Sequence, residues 1–135
     1  MPRSLDCGLQ VFRGLGTDAL MKQRIDLDTL LSQPTNPHQC IASFALLALG
    51  IIESLVGGAM TVSGAVEMLF HGNNCLFVRK HLRNKGVDEI MSRGAQLPDL
   101  FDMLLAEEAQ REFQRELAAM RLLCLKLLGD KQRAA

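Results

Sequence analysis

The chain has 135 residues, 48% of them hydrophobic, with 15 basic and 15 acidic side chains. That is enough apolar material for the core of one domain, and it excludes disorder along most of the length. Zero formal charge excludes an overall field that draws nucleic acid or anionic lipid. With no Trp, no Tyr and six Phe, little is left for base stacking or for the aromatic belts of a membrane protein.

Residues 1–16 (MPRSLDCGLQVFRGLG) hold three glycines and are expected to form an arm outside a single helical domain spanning 17–135. The opening lacks the apolar run of a secretory leader. Cys7, Cys40, Cys75 and Cys124 are dispersed without a CxxC pair, as free thiols of a reducing compartment would be, so a cytoplasmic location is expected. Thr17 can cap a helix running to about Gln33, with Leu20, Leu27 and Leu31 on one face; a shorter helix starting after Asp26 is the alternative.

Pro34-Thr35-Asn36-Pro37 breaks the chain. Asn36 as N-cap, Pro37 at the first helical position and Gln39 as the return arm of a capping box predict a helix over 37–56, stopped by Gly57-Gly58. Its uninterrupted apolar part, Ile41 to Ile52, reaches about 18 Å against roughly 30 Å of bilayer hydrocarbon. Glu53 follows it, and no Lys or Arg occurs from Pro34 to Val78 to anchor a span. The helix therefore reads as the axis of a globule. Gln39, Ser43, Leu46, Gly50, Glu53 and Gly57 line up on it as one narrow edge of low bulk or polarity, facing water or a closely approaching backbone.

Thr61 or Ser63 opens the next helix, which runs through Phe70 to Gly72. Asn73 or Asn74 caps a third (CLFVRKHLRNK) ended by Gly86, and a short helix over 87–93 follows. Gln96-Leu97-Pro98-Asp99 then predicts a long last helix over 98–128 with Gly129 just past its end. Phe113, Leu117, Met120, Cys124 and Leu127 form its apolar seam at four-three spacing. The predicted fold is all-α: about five helices bundled around the 37–56 helix.

Five constellations bear on function. Arg79, Lys80, Arg83 and Lys85 make a local basic patch that can meet phosphates, although cations also suit the C-terminus of a helix. Asp99 to Glu116 holds six acidic residues (Asp99, Asp102, Glu107, Glu108, Glu112, Glu116) against Arg111 and Arg115. Glu107, Glu108 and Glu112 there form either a solvated face or a docking face for a basic partner. Glu67 and His71, at i and i+4, are half of a general-base arrangement with no third member. The apolar end of the last helix, around Leu123 and Leu127, suggests a homodimer contact. His38 with Cys40, and His71 with Cys75, are ligand-type pairs, but they lack the spacings of structural zinc sites, so no metal and no cofactor is expected.

The segment LLALGIIESLVGGAMTVSGAVEMLF (46–70), followed by EIMSRGAQLPDLFDML, resembles an uncharacterised family of small bacterial proteins. The resemblance is carried by Leu49-Gly50, Glu53-Ser54-Leu55, Gly58, Thr61, Ala65, Leu69-Phe70, Gly94, Leu97 and Asp99, and covers about residues 38–128. It implies a small helical domain and no particular activity. The expected function is that of a non-enzymatic protein-binding module, immunity- or adaptor-like. The alternatives are a nucleic-acid-associated regulator using 79–85 and a small enzyme using Glu67 and His71.

Overall fold

The computed structural model describes residues 24–31 and 37–134; the expected N-terminal arm and the Thr17 and Asn36 caps lie outside them. The described residues form six α-helices: α1 Leu27–Leu30, α2 Pro37–Val56, α3 Val62–Met68, α4 Gly72–Phe77, α5 Lys85–Met103 and α6 Ala106–Ala134. A π-helical turn, Val78–Leu82, continues α4. The bundle is all-α, with α2 at its centre and α6 as its longest wall.

Of the two starts expected for the first helix, the later one forms. Residues 24–26 are non-helical, and the Asp26 carboxylate accepts from the Asp28 N–H at 3.2 Å to cap α1. The bounds of α2 are those its sequence predicts. Its end is a Schellman arrangement: the Ala59 N–H donates to the Ser54 carbonyl at 2.9 Å and Gly58 N–H to that of Leu55 at 3.3 Å. Gly58 takes the left-handed φ of 78° that this closure needs. Ile41, Phe44, Ala45, Ala48, Ile51, Ile52 and Leu55 of α2 are all buried, packed chiefly by α6 and also by α3, α5 and the π turn. Gln39, Ser43, Leu46, Gly50, Glu53 and Gly57 are the exposed edge. Residues 38–56 are long and apolar enough to cross a bilayer, and 39% of that stretch is buried among the other helices. Glu53 reaches Arg121 on α6 at 2.7 Å, a half-exposed pair worth little to stability.

Thr61 caps α3 by accepting from the Gly64 N–H at 2.9 Å. Beyond it the structure departs from expectation. His71, not Asn73 or Asn74, is the N-cap of α4. Arg83, at φ 48°, ends the π turn. Asn84 caps the next helix through the Val87 N–H at 3.1 Å. Gly86 is therefore no terminator but lies in the first turn of α5, where α6 comes close: a Cβ on it would stand 3.3 Å from the Leu127 side chain.

The short 87–93 helix and the start of the predicted 98–128 helix are one element, α5, which runs straight through Pro98. Proline removes one backbone hydrogen bond there, but Leu97, Ile90, Met91 and Val87 are buried along the same helix, and that packing holds it together. The chain breaks instead at Leu104, whose extended backbone (φ −118°, ψ 158°) ends α5. After Leu105 it reverses into α6, which continues past Gly129. The seam read from the sequence is the buried seam of α6: Phe113, Leu117, Met120, Cys124 and Leu127 all lie in the core.

Candidate functional site

The break at Leu104 creates a corner that a continuous helix would not have. Leu97 is buried beneath it and Leu100 and Leu104 are half-buried, but Met103 is 79% exposed, Leu105 75% and Phe101 44%. Phe101 leans edge-on against Phe113 with ring centroids 5.4 Å apart, so its exposed side is held in place. Asp99, Asp102, Glu107 and Glu108 are exposed around this apolar tip.

An open groove of about 510 Å³ leads from the tip between α5 and α6. Its far end holds Arg93 between two carboxylates, Glu89 on α5 at 3.0 Å and Glu116 on α6 at 2.8 Å. Hydrogen bonds to Glu116 and Glu89 raise the pKa of this guanidinium above its ordinary value. One cation thus serves two anions, and that end of the groove stays negative.

Of the acidic residues singled out from the sequence, Glu107 and Glu108 are exposed in the first turn of α6. There the macrodipole favours them. Glu112 is half-exposed and pairs with Arg115 at 2.8 Å. Asp99 belongs not to the start of the last helix but to the last turns of α5.

The basic residues Arg79, Lys80, Arg83 and Lys85 are all exposed, close together on the π turn and the start of α5. Asp26 and Asp28 line the same shallow pocket as Lys80 and His81, which offsets part of their field. Leu76, 62% exposed, precedes them.

His71 is committed elsewhere. Its Nε2 donates to the Ile25 carbonyl at 2.9 Å, which leaves Nδ1 to accept from Arg24 at 3.1 Å and from the Asn74 N–H at 3.4 Å. Glu67 is exposed on α3 and is not among these partners, so the carboxylate–imidazole couple expected from their spacing does not form. The structure ends α3 at Met68, and the turn through Leu69 and Phe70 breaks the helical register that an i, i+4 pair requires. Sequence reasoning also missed Asn74, a buried clamp. Its Oδ1 accepts from the Leu27 N–H at 3.0 Å, and its amide donates to Ile25 and Leu69 carbonyls at 3.0 and 2.9 Å.

Leu127 is buried within its own chain and Leu123 is half-buried against the core. The apolar side chains that this end of α6 leaves in water are Leu122 and Leu125, and they replace Leu127 as the candidates for an intermolecular contact. Cys124 is buried, which pushes its thiol pKa up to about 12. Burial also raises that of Cys75, opposed by the nearby Arg79 and helped by Asp88. Among the described residues no three His, Cys, Asp or Glu side chains converge as a metal would need.

Several of the residues that carry the resemblance do structural work here. Gly58 and Thr61 shape the α2–α3 turn, Ala65, Leu69 and Phe70 are buried, and Gly94 lies against the Phe70 ring. No family model matches the chain, and neither does any curated protein or solved structure.

Proposed function

We propose that this chain is a non-enzymatic protein-binding module of the immunity or adaptor kind, working in the bacterial cytoplasm, with the α5–α6 corner as its contact surface. The observation that carries this reading is the exposed trio Phe101, Met103 and Leu105 inside a ring of carboxylates. Large apolar side chains clustered in water and rimmed by polar ones mark interaction surfaces. A homodimer through the far end of α6 would use Leu122 and Leu125.

A photo-crosslinking residue at Leu105, in cells that make the protein, tests the reading. A discrete protein adduct is expected, and Met103→Lys should remove it. No adduct, or the same adduct from a crosslinker at the exposed Gln114, overturns the assignment of this surface.

A second reading, a nucleic-acid-associated regulator, is favoured by the joint exposure of Arg79, Lys80, Arg83 and Lys85. It requires a salt-sensitive gel shift that is abolished when Arg79 and Arg83 are changed to Glu. Absence of any shift with the unaltered protein ends it.

A further inference from the structure

Resting on the protein-binding reading above, we infer that the groove between α5 and α6 receives a basic amphipathic helix from the partner, laid along α5 with its apolar face toward the corner and its cations toward the far end. The groove follows one face of α5 from Glu89 through Arg93 and Gln96 to Leu100 and Met103. Fourteen residues of helix cover about 21 Å, the length of a three- to four-turn helix.

The groove's two ends differ in chemistry. At the corner, Leu97, Leu100, Met103 and Leu104 make an apolar floor, and the flexible thioether of Met103 adapts to whatever side chain meets it. A helix anchors in such a groove through apolar residues at i, i+3, i+4 and i+7. At the far end, Glu89 and Glu116 share only Arg93 between them, and Asp99 lines the wall nearer the corner. With three carboxylates against one guanidinium, the lining carries a charge of −2. The surrounding Asp102, Glu107 and Glu108 extend the same sign outward.

An acidic helix would meet like charge along its whole length, and like-charge contact costs specificity and on-rate. A neutral apolar helix would desolvate the far-end carboxylates with only the shared Arg93 to offset them. Lys or Arg placed on the polar flank of the incoming helix satisfies them, and Arg does so with two parallel hydrogen bonds to one carboxylate.

The test uses the full chain and two synthetic 14-residue helical peptides with the same apolar positions, one carrying Lys and the other Glu at the polar positions. Binding is read by fluorescence anisotropy and its location by amide NMR shifts. The Lys peptide is expected to bind saturably and to move the amides of Gln96, Leu100 and Met103. Its affinity should fall at least tenfold in Met103→Lys, which alters an exposed side chain and leaves the fold intact, and several-fold in Glu116→Gln.

Equal binding of the Glu peptide overturns the charge class of the occupant, while the protein-binding reading survives if the Leu105 crosslink is still found. Shifts centred on Leu76–Lys85 or on Leu122–Leu125 overturn the groove. The same shifts arising on raising protein concentration, with no peptide, make a second copy of this chain the occupant and also overturn the inference.

Discussion

Gly94→Ala should destabilise the protein by about 2 kcal/mol, although it puts a better helix former in the middle of α5. In an open helix this exchange gains about 1 kcal/mol. Here an added Cβ would lie 2.5 Å from Cδ1 and Cγ of Phe70 and 2.6 Å from its Cδ2, whereas ordinary contact begins at 3.4 Å. The ring would have to recede by roughly the difference, about 0.9 Å. Phe70 is only 1% exposed and sits in the continuous core, and a close-packed interior offers no slack on that scale. Overpacking costs about 1–3 kcal/mol or more; with several ring atoms struck at once we take the upper end, and subtracting the propensity gain leaves about 2. For a chain of this size that is a fall in Tm of roughly 6–10 °C, read by circular dichroism melting and urea titration. Gly50→Ala is the control: it too lies within a helix, but nothing stands within 4 Å of its added Cβ, so it should be neutral or stabilising. Phe70→Leu should cost less in the Gly94→Ala background than alone, with a coupling of about 1 kcal/mol in a double-mutant cycle. If Gly94→Ala melts at or above the parent temperature, or the two sites are additive, the close packing of α5 on Phe70 is refuted.

Asn74→Ala leaves the Leu27 N–H and the Leu69 carbonyl without their buried partner. It should cost about 2–3 kcal/mol, with faster hydrogen exchange at Leu27 in advance of global unfolding as the local signature. Cys124 should resist alkylation in the native protein at pH 8 while half-exposed Cys40 and Cys75 react. Its folded thiol ionises near pH 12 and the unfolded one near 8.5, so it has no effect below about pH 8; above that the unfolded chain releases its proton first and stability falls as pH rises. Urea titrations between pH 8 and 10.5 should show a shallower decline in Cys124→Ala. Asp102→Lys should raise stability by about 0.3–1 kcal/mol and abolish binding of a basic helical peptide; an unchanged affinity would separate Asp102 from the contact surface.

What the sequence made legible follows from where its signals are local. The bounds of α2 come from Pro37 at one end and Gly57-Gly58 at the other, both acting on the backbone within one turn. The seam of α6 comes from spacing alone, because 3.6-residue periodicity is a property of the helix itself. The break at Leu104-Leu105 carries no glycine, proline or cap residue, so nothing local announces it. It arises because Leu97 and Leu100 on one side and Ala109 and Phe113 on the other are packed into the body of the protein, and the chain must fold back to bury both. Pro98 misled for the same reason: as a local signal it starts a helix, but tertiary burial carries α5 across it. Asn74 was legible as a cap former, which is what Asn does on a surface; its burial between Ile25, Leu27 and Leu69 depends on residues 47 to 49 positions away for two of its three partners. The acidic stretch could be counted from the sequence, but the apolar tip within it could not, since a continuous helix would have buried or spread those side chains.

That break also changes the electrostatic account of the acidic stretch. In one long helix starting at Pro98, Asp99 and Asp102 would sit at the opening of the helix, where the macrodipole favours negative charge. In the structure Glu107 and Glu108 hold that place. Asp99 and Asp102 fall within the last five residues of α5, a helix with no basic residue in its last turn, where negative charge opposes the dipole. The positive pole of α6 nearby already has its two glutamates. Beside them Met103 and Leu105 stand in water with no gain to folding. Two unfavourable charges and two unburied apolar side chains at one corner are a local departure from what the fold alone would select, the kind of departure that functional or strained sites carry. The basic turn departs less: Arg79 and Lys80 lie in the last turn of their helix, where the dipole welcomes them. Of the two surfaces, the acidic corner is therefore the better candidate for a contact, because the fold provides no reason for the residues it carries.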